Sequence, residues 1–234
     1  MRLNFTPTEE VATEVDLGTS CPKLSGQVSV TSYTGLTSIT CVGNDVTNFI
    51  ISSVNDDNLQ YINFASNKLT GSVDQYMPQN IITATFQSNT LDVPLANLSS
   101  YTLLENLNIG SNYSMGGGIP VLPASLKLFD AQFCSLTGNI PSLSSNINLQ
   151  SVNVTSNDLT EFSGGTISST VTSFLAENNN LVQGAVDGIL AAVNTAGTNN
   201  GELNLGGTNS APTSGSLNTD YIALSSRGWA VSIA

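Results

Sequence analysis

Apolar residues return along this chain at a fixed beat. Leu59, Ile62, Phe64 and Leu69 surround Asn67 in the spacing Leu-x-x-Ile-x-Phe-x-x-Asn-x-Leu. With Asn67 as the anchor, the unit recurs upstream as Leu36, Ile39, Cys41, Asn44 and Val46. Downstream copies run Ile81, Ala84, Phe86, Asn89, Leu91; then Leu104, Leu107, Ile109, Asn112; then Leu126, Phe129, Ala131, Cys134, Leu136. Two more are Leu149, Val152, Val154, Asn157, Leu159 and Val171, Phe174, Ala176, Asn179, Leu181. The anchors 44, 67, 89, 112, 134, 157 and 179 are separated alternately by 23 and 22 residues. Seven copies in one register predict a solenoid, one coil per copy.

The spacing also predicts what each coil contains. Its centre alternates apolar and polar, so it forms a short strand with one side chain inward and the next outward. Inward residues stack on their equivalents in neighbouring coils. The anchor Asn suits an inward turn position, where its amide donates to and accepts from buried backbone groups. Cys134 takes that position once. No coil buries its own apolar side alone, so both ends require caps. On the return side, Leu136-Thr-Gly-Asn-Ile-Pro141 and its partial copies Leu69–Val73 and Gly117–Pro120 favour extended or tightly turned backbone. Little helix is expected before residue 180.

The ends depart from the period. Residues 15–28, around Leu17, Cys21, Leu24 and Gly26, read as a degenerate leading coil. After Asn179 the apolar positions 182, 186, 189, 190 and 193 take helical spacing. A strand at 202–206, a second short helix near 216–226 and a closing strand at 228–233 follow, with Trp229 expected to shield the last coil. The chain thus divides into an N-terminal segment with its capping coil (1–35), seven repeats (36–181) and a small α/β cap (182–234). The expected fold class is a β-rich solenoid with a 22/23-residue period, short parallel strands and little helix.

Outward strand positions define the candidate binding face. They include Tyr61, Asn63, Thr83, Thr85, Gln87, Asn106, Asn108, Leu128, Asp130, Gln132, Asn153, Leu175 and Glu177. These side chains are mostly small and uncharged, interrupted by Leu128 and Leu175. The face reads either as a solvated sheet surface or as a hydrogen-bonding platform for a protein or a glycan. Of the aromatic platforms that glycan sites use, the strand positions supply Tyr61.

Composition narrows the chemistry. Only 9% of residues are charged, and 5 Lys+Arg against 17 Asp+Glu give a net charge of −12. Such a chain lacks the basic footprint of a nucleic-acid or anionic-membrane binder. Histidine is absent, which removes Ser-His-Asp triads, Cys-His pairs and His-based metal sites. No cofactor and no metal are expected. Ser, Thr and Asn together make up 83 of the 234 residues, a composition suited to the turns and outer faces of a β-solenoid. The spacing of Cys21, Cys41 and Cys134 matches no metal motif; they read as buried apolar residues, with a Cys21–Cys41 disulfide as the alternative. Asp130 and Glu177 lie two coils apart, roughly 10 Å at the inter-strand spacing, too far for a retaining glycosidase pair. Asp56-Asp57 reads as a solvated pair rather than a cation site. Asn4, Asn97, Asn112 and Asn153 match the glycosylation pattern by chance in so Asn-rich a chain. The N-terminus carries no apolar run of signal-peptide length, and no stretch approaches the ~20 apolar residues of a membrane span; membrane insertion is not expected.

The unit of residues 36–181 resembles the leucine-rich repeat family. The C-terminal run, with AVDGILAAV, then NNGELNLGGTNSAP, then YIALSSRGWAVSIA, resembles the closing segment of leucine-rich repeat proteins encoded by bacteriophages. That resemblance implies a non-enzymatic structural component of the virion, made in the host cytoplasm and exposed on tail, fibre or capsid. Its implied partners are other virion proteins and a host-surface protein or glycan. The acidic segment 1–20 would dock on another virion protein or serve as a cap strand. The alternative is a bacterial surface adhesin or protein-interaction module.

Overall fold

The computed structural model describes residues 3–4, 13–18, 23–30, 35–51 and 58–234. Its strands are β1 (Leu3–Asn4), β2 (Glu14–Asp16), β3 (Ser25–Ser29), β4 (Ser38–Thr40), β5 (Asp45–Ile50), β6 (Tyr61–Asn63), β7 (Thr83–Thr85) and β8 (Asn106–Asn108). There follow β9 (Leu128–Asp130), β10 (Thr137–Ile140), β11 (Ser151–Asn153), β12 (Asp158–Phe162), β13 (Ser173–Leu175), β14 (Glu202–Leu205) and β15 (Ala230–Ile233). Two α-helices, α1 (Gln183–Ala196) and α2 (Thr219–Ser226), lie in the C-terminal cap. Before residue 180 the described helix is one 3-10 turn at Asp74–Tyr76.

Ten strands form one parallel sheet in the order β2-β4-β6-β7-β8-β9-β11-β13-β14-β15. The pairings hold a single register, so Ile39, Ile62, Ala84, Leu107, Phe129, Val152, Phe174 and Leu203 stack as one inward row. The return side carries two smaller parallel sheets, β1-β3-β5 and β10-β12. The predicted solenoid and its short parallel strands are therefore present. The leading segment supplies β2 and β3, which extend the long sheet and one return sheet. Cys21 and Asp56-Asp57 lie outside the described residues.

Inward rows are fully buried, and their volumes compensate within a coil. Ala84 is followed inward by Phe86, Phe129 by Ala131, and Phe174 by Ala176, all at 0–1% exposure. One large and one small residue keep each coil's cross-section constant, which close packing requires. Cys41 and Cys134 are free, buried thiols, and burial pushes both pKa values up to about 11.

The anchor amides form a ladder. Asn89 donates to Phe64 O (2.8 Å) and Phe86 O (2.9 Å), and its carbonyl accepts from Leu69 N (2.9 Å). Asn67, Asn112, Asn157 and Asn179 repeat this arrangement on their own neighbours. The ladder runs one rung past the repeats: Asn209 donates to Ala176 O (2.8 Å) and accepts from Leu181 N (3.0 Å). At Cys134 the rung changes. Its thiol donates to Ile109 O (3.2 Å), but it has no amide oxygen, and Asn157 Oδ1 accepts from both Cys134 N and Leu136 N at 2.9 Å. The preceding coil is adjusted to this. After Asn112 the next buried residue is Met115 rather than a residue at 114, so the turn is one residue longer.

The cap closes the array as its helical spacing predicted. Val186, Ile189, Leu190 and Val193 of α1 are buried over the last coils. Asn218 caps α2 by accepting from Asp220 N and Tyr221 N, and Asp220 accepts in turn from Asn194 Nδ2 (2.6 Å). Trp229 is 4% exposed and its indole donates to Thr198 O (2.8 Å). The ring lies flat against Gly201, where a Cβ would come within 2.5 Å of it, so that position requires glycine.

The ladder sets a stability expectation. Asn157→Ala strands two buried N–H groups and two carbonyls, each costing about 1–3 kcal/mol when left unpaired. Urea unfolding should show a loss of about 3 kcal/mol or more; a loss below about 1 kcal/mol would contradict the ladder's role.

Candidate binding face

Outward side chains on the long sheet form three rows. The first carries Glu14, Ser38, Tyr61, Thr83, Asn106, Leu128, Ser151, Ser173 and Glu202 in register. The second carries Asp16, Thr40, Asn63, Thr85, Asn108, Asp130, Asn153, Leu175 and Asn204. The third follows two residues later in each coil and includes Gln87, Gly110, Gln132, Thr155 and Glu177.

The second row has a local logic. Asn63, Asn108, Asn153 and Asn204 each accept from the backbone N–H two residues on, at 3.1–3.2 Å. Asp130 does the same for Gln132 N (3.2 Å). Short Asn and Asp side chains favour this turn, which ends the strand. The side-chain oxygen is thereby used on the backbone, and the amide NH2 remains for the face. Asn108 donates to Gln87 Oε1 (2.7 Å), and Asn204 to Glu177. Asn106 donates to Thr83 Oγ1 (3.2 Å) in the first row.

A concave depression of about 520 Å³ opens at the centre of this face. Of the residues expected on the binding face, it gathers Thr83, Thr85, Asn106, Asn108, Leu128, Asp130, Asn153 and Leu175, together with Ser151. Gln87, Gln132 and Glu177 belong to the third row beside it, while Tyr61 and Asn63 lie nearer the N-terminal end. Small residues create the hollow. A Cβ at Gly110 would approach Gln132 Cγ to 3.0 Å and Asp130 Oδ1 to 3.3 Å. Leu128 is 44% exposed within it.

Electrostatically the three rows are one-sided. Glu14, Asp16, Asp130, Glu177 and Glu202 occupy them, and no Lys or Arg does. The two ion pairs among the described residues are Lys68–Asp45 and Lys127–Glu105, neither of which uses these carboxylates. Burial raises the pKa of Asp130, against the lowering effect of hydrogen bonds from Gln132 N–H and the Asn153 amide.

Two exposed aromatic residues at the rim were not anticipated. Tyr113 and Phe133 are 67% and 40% exposed, with ring centroids 6.2 Å apart at 53°. The residue before the ladder position has positive φ in successive coils: Gly43, Ser66, Ser88, Ser111, Ser156 and Asn178. Phe133 holds the same conformation at φ 55°, which a bulky side chain adopts only at a cost. The signal was available in the sequence, since a Phe interrupts a periodic column of Gly, Ser and Asn. Strand positions alone did not reach it. Asn112, one of the glycosylation-pattern residues, is fully buried in the ladder. No group of three His, Cys, Asp or Glu side chains that could hold a metal occurs among the described residues, and no helix there is long and apolar enough to cross a membrane.

No family model and no curated protein matches the sequence. Among solved structures, a plant peptide hormone receptor, RGFR1 in complex with RGF2, is similar with a TM-score of 0.56 and 18% identity. The match covers 84% of this chain and 42% of the receptor chain, so this protein spans about two-fifths of that length. The fold is thus a parallel β-solenoid of the leucine-rich-repeat type, with a small helical cap.

Asp130 yields a prediction of sign. A carboxylate whose folded pKa is raised destabilises the folded state at pH above that pKa, and the penalty vanishes as pH falls through it. Asp130→Asn keeps the turn oxygen that accepts from Gln132 N–H. It should therefore raise the melting temperature at about pH 7, with the gain shrinking towards about pH 3. A melting temperature below the wild type at neutral pH would contradict this reading.

Proposed function

We propose that this protein is a non-enzymatic recognition module that holds a protein partner in the depression of its sheet, and that it does so as an exposed component of a bacteriophage particle. One observation carries the first part. Exposed Leu128 and half-buried Leu175 share a hollow with Asn and Thr hydrogen-bonding groups and a carboxylate free of any cation among the described residues. An apolar contact ringed by oriented polar groups is the usual make-up of a protein-binding hollow. The similar receptor is described as a peptide hormone receptor in complex with RGF2, a precedent for this fold in recognition. Catalysis has little to work with: histidine is absent from the whole chain, and Asp130 and Glu177 belong to coils two apart.

Placement on a virion rests on the resemblance of residues 182–234 to phage-encoded closing segments. It is compatible with an acidic, Lys-poor surface rich in Asn, Ser and Thr. A rigid platform repeated over many copies would convert weak contacts into firm attachment.

Two measurements test the two parts. Mass spectrometry of purified particles from the source should find the chain at stoichiometric copy number; its absence from particles and presence in cells would overturn the virion placement. In particles, the pair Leu128→Glu and Leu175→Glu should either release the protein or slow host adsorption by about tenfold, as loss of interface anchors does. Particles that retain the variant at full copy number and adsorb at the wild-type rate would overturn the role of the hollow.

A further inference from the structure

We propose that the partner segment is basic, and that an arginine of that segment anchors in the hollow with its guanidinium on Asp130 and its aliphatic stem between Leu128 and Leu175. This rests on the recognition reading above and names the chemistry of the partner.

Three independent features converge on a cation. The first is the field of the face. Five carboxylates line its rows with no basic residue among them, so acidic peptides and phosphates are repelled, and a basic segment is drawn in. The second is local. Asp130 sits in the hollow with a neutral escort only: Gln132 N donates to it (3.2 Å), and Gln132 Nε2 lies 3.5 Å from its Oδ2. Lys127, just before β9, is already paired with Glu105 at 2.8 Å. The carboxylate therefore keeps acceptor capacity for a fork of donors, which a guanidinium presents and an ammonium does not. Apolar Leu128 and Leu175 flank it in the adjoining row and coil, a surface suited to the methylene stem of a long cationic side chain.

The third feature is the aromatic pair. Phe133 follows Gln132 directly, so it stands beside the Asp130 end of the hollow. Its backbone is held at φ 55° where the other coils place Gly, Ser or Asn. The strained, exposed ring gains no burial in return, and Tyr113 next to it is more exposed still. Exposed aromatic faces attract guanidinium and ammonium groups, more so beside a carboxylate. The pair gives the next basic side chain of the segment a surface to lie on. Leu128, Leu175, Asp130, Tyr113 and Phe133 thus form one cation-selective patch.

Fluorescence anisotropy with labelled, blocked dodecapeptides of Gly and Ser tests this. One carries two adjacent arginines, and a second carries citrulline, the neutral isostere, in their place. The arginine peptide should bind, and citrulline should weaken binding by about tenfold or more. Asp130→Asn should weaken the arginine peptide by a similar factor and leave the citrulline peptide unchanged. Glu161→Gln on β12 of the return side removes the same formal charge and should change binding less than about twofold. Phe133→Ser should weaken the arginine peptide without lowering the melting temperature, because it restores the residue type of the neighbouring coils.

Equal binding of both peptides, or equal effects of Asp130→Asn and Glu161→Gln, would overturn the proposal. So would no measurable binding of the arginine peptide, or binding of maltoheptaose, a neutral glucan, that is lost in Phe133→Ser in its place. None of these results touches the particle experiment on Leu128 and Leu175, which judges the hollow's role separately.

Discussion

Buried backbone that runs along the inner edge of a coil has no strand partner to satisfy it, and the ladder of side-chain amides resolves this for the whole molecule. Each Asn donates to its own turn and to the coil before it, and accepts from the backbone of that coil. An amide can do all of this at one position; a hydroxyl or a carboxylate cannot. The rungs thus fix the rise and register of the stack. Once register is fixed, inward rows pack without gaps, and outward rows line up as columns across ten strands. The recognition face is a by-product of the constraint that satisfies the interior.

The one irregular rung shows how closely interior and surface are tied. Cys134 keeps the donor role and loses the acceptor role, and the coil before it takes an extra residue so that Met115 fills the core. Tyr113 lies in that lengthened turn, and Phe133 directly precedes Cys134. The exposed aromatic pair thus sits where the ladder departs from its norm. Strain at φ 55° and a carboxylate with a raised pKa are both costs to folding within one coil and its neighbour. Stability spent in a single coil, while the other coils keep the regular solution, marks that coil as specialised for something other than holding the stack.

Much of this was legible in the sequence because a solenoid writes its core as a period. Anchors at 22- and 23-residue steps placed the strands, the inward rows and the outward columns to the residue. The helical spacing after Asn179 placed α1. Asn209 escaped because α1 lies between it and Asn179, stretching the step to 30 residues, although its hydrogen bonds repeat those of the other rungs. The hollow was not legible. Its position depends on where small residues such as Gly110 and Ser151 meet larger ones across coils, a sum over three rows that no single repeat displays. Tyr113 and Phe133 were missed because their exposure follows from turn geometry, and the strand alternation that identified Tyr61 does not extend into turns.

The order of strands in the long sheet follows the order of the chain without a crossover. Every hydrogen bond of the array is consequently made with an adjacent unit, and the two caps never touch. A whole unit can be lost, duplicated or exchanged by in-frame recombination at any boundary where the rungs are regular, leaving the ends intact and the columns continuous. The face can lengthen, shorten or reassort its side chains in steps of one coil. Variation in what such a protein recognises can therefore outpace change in how it folds.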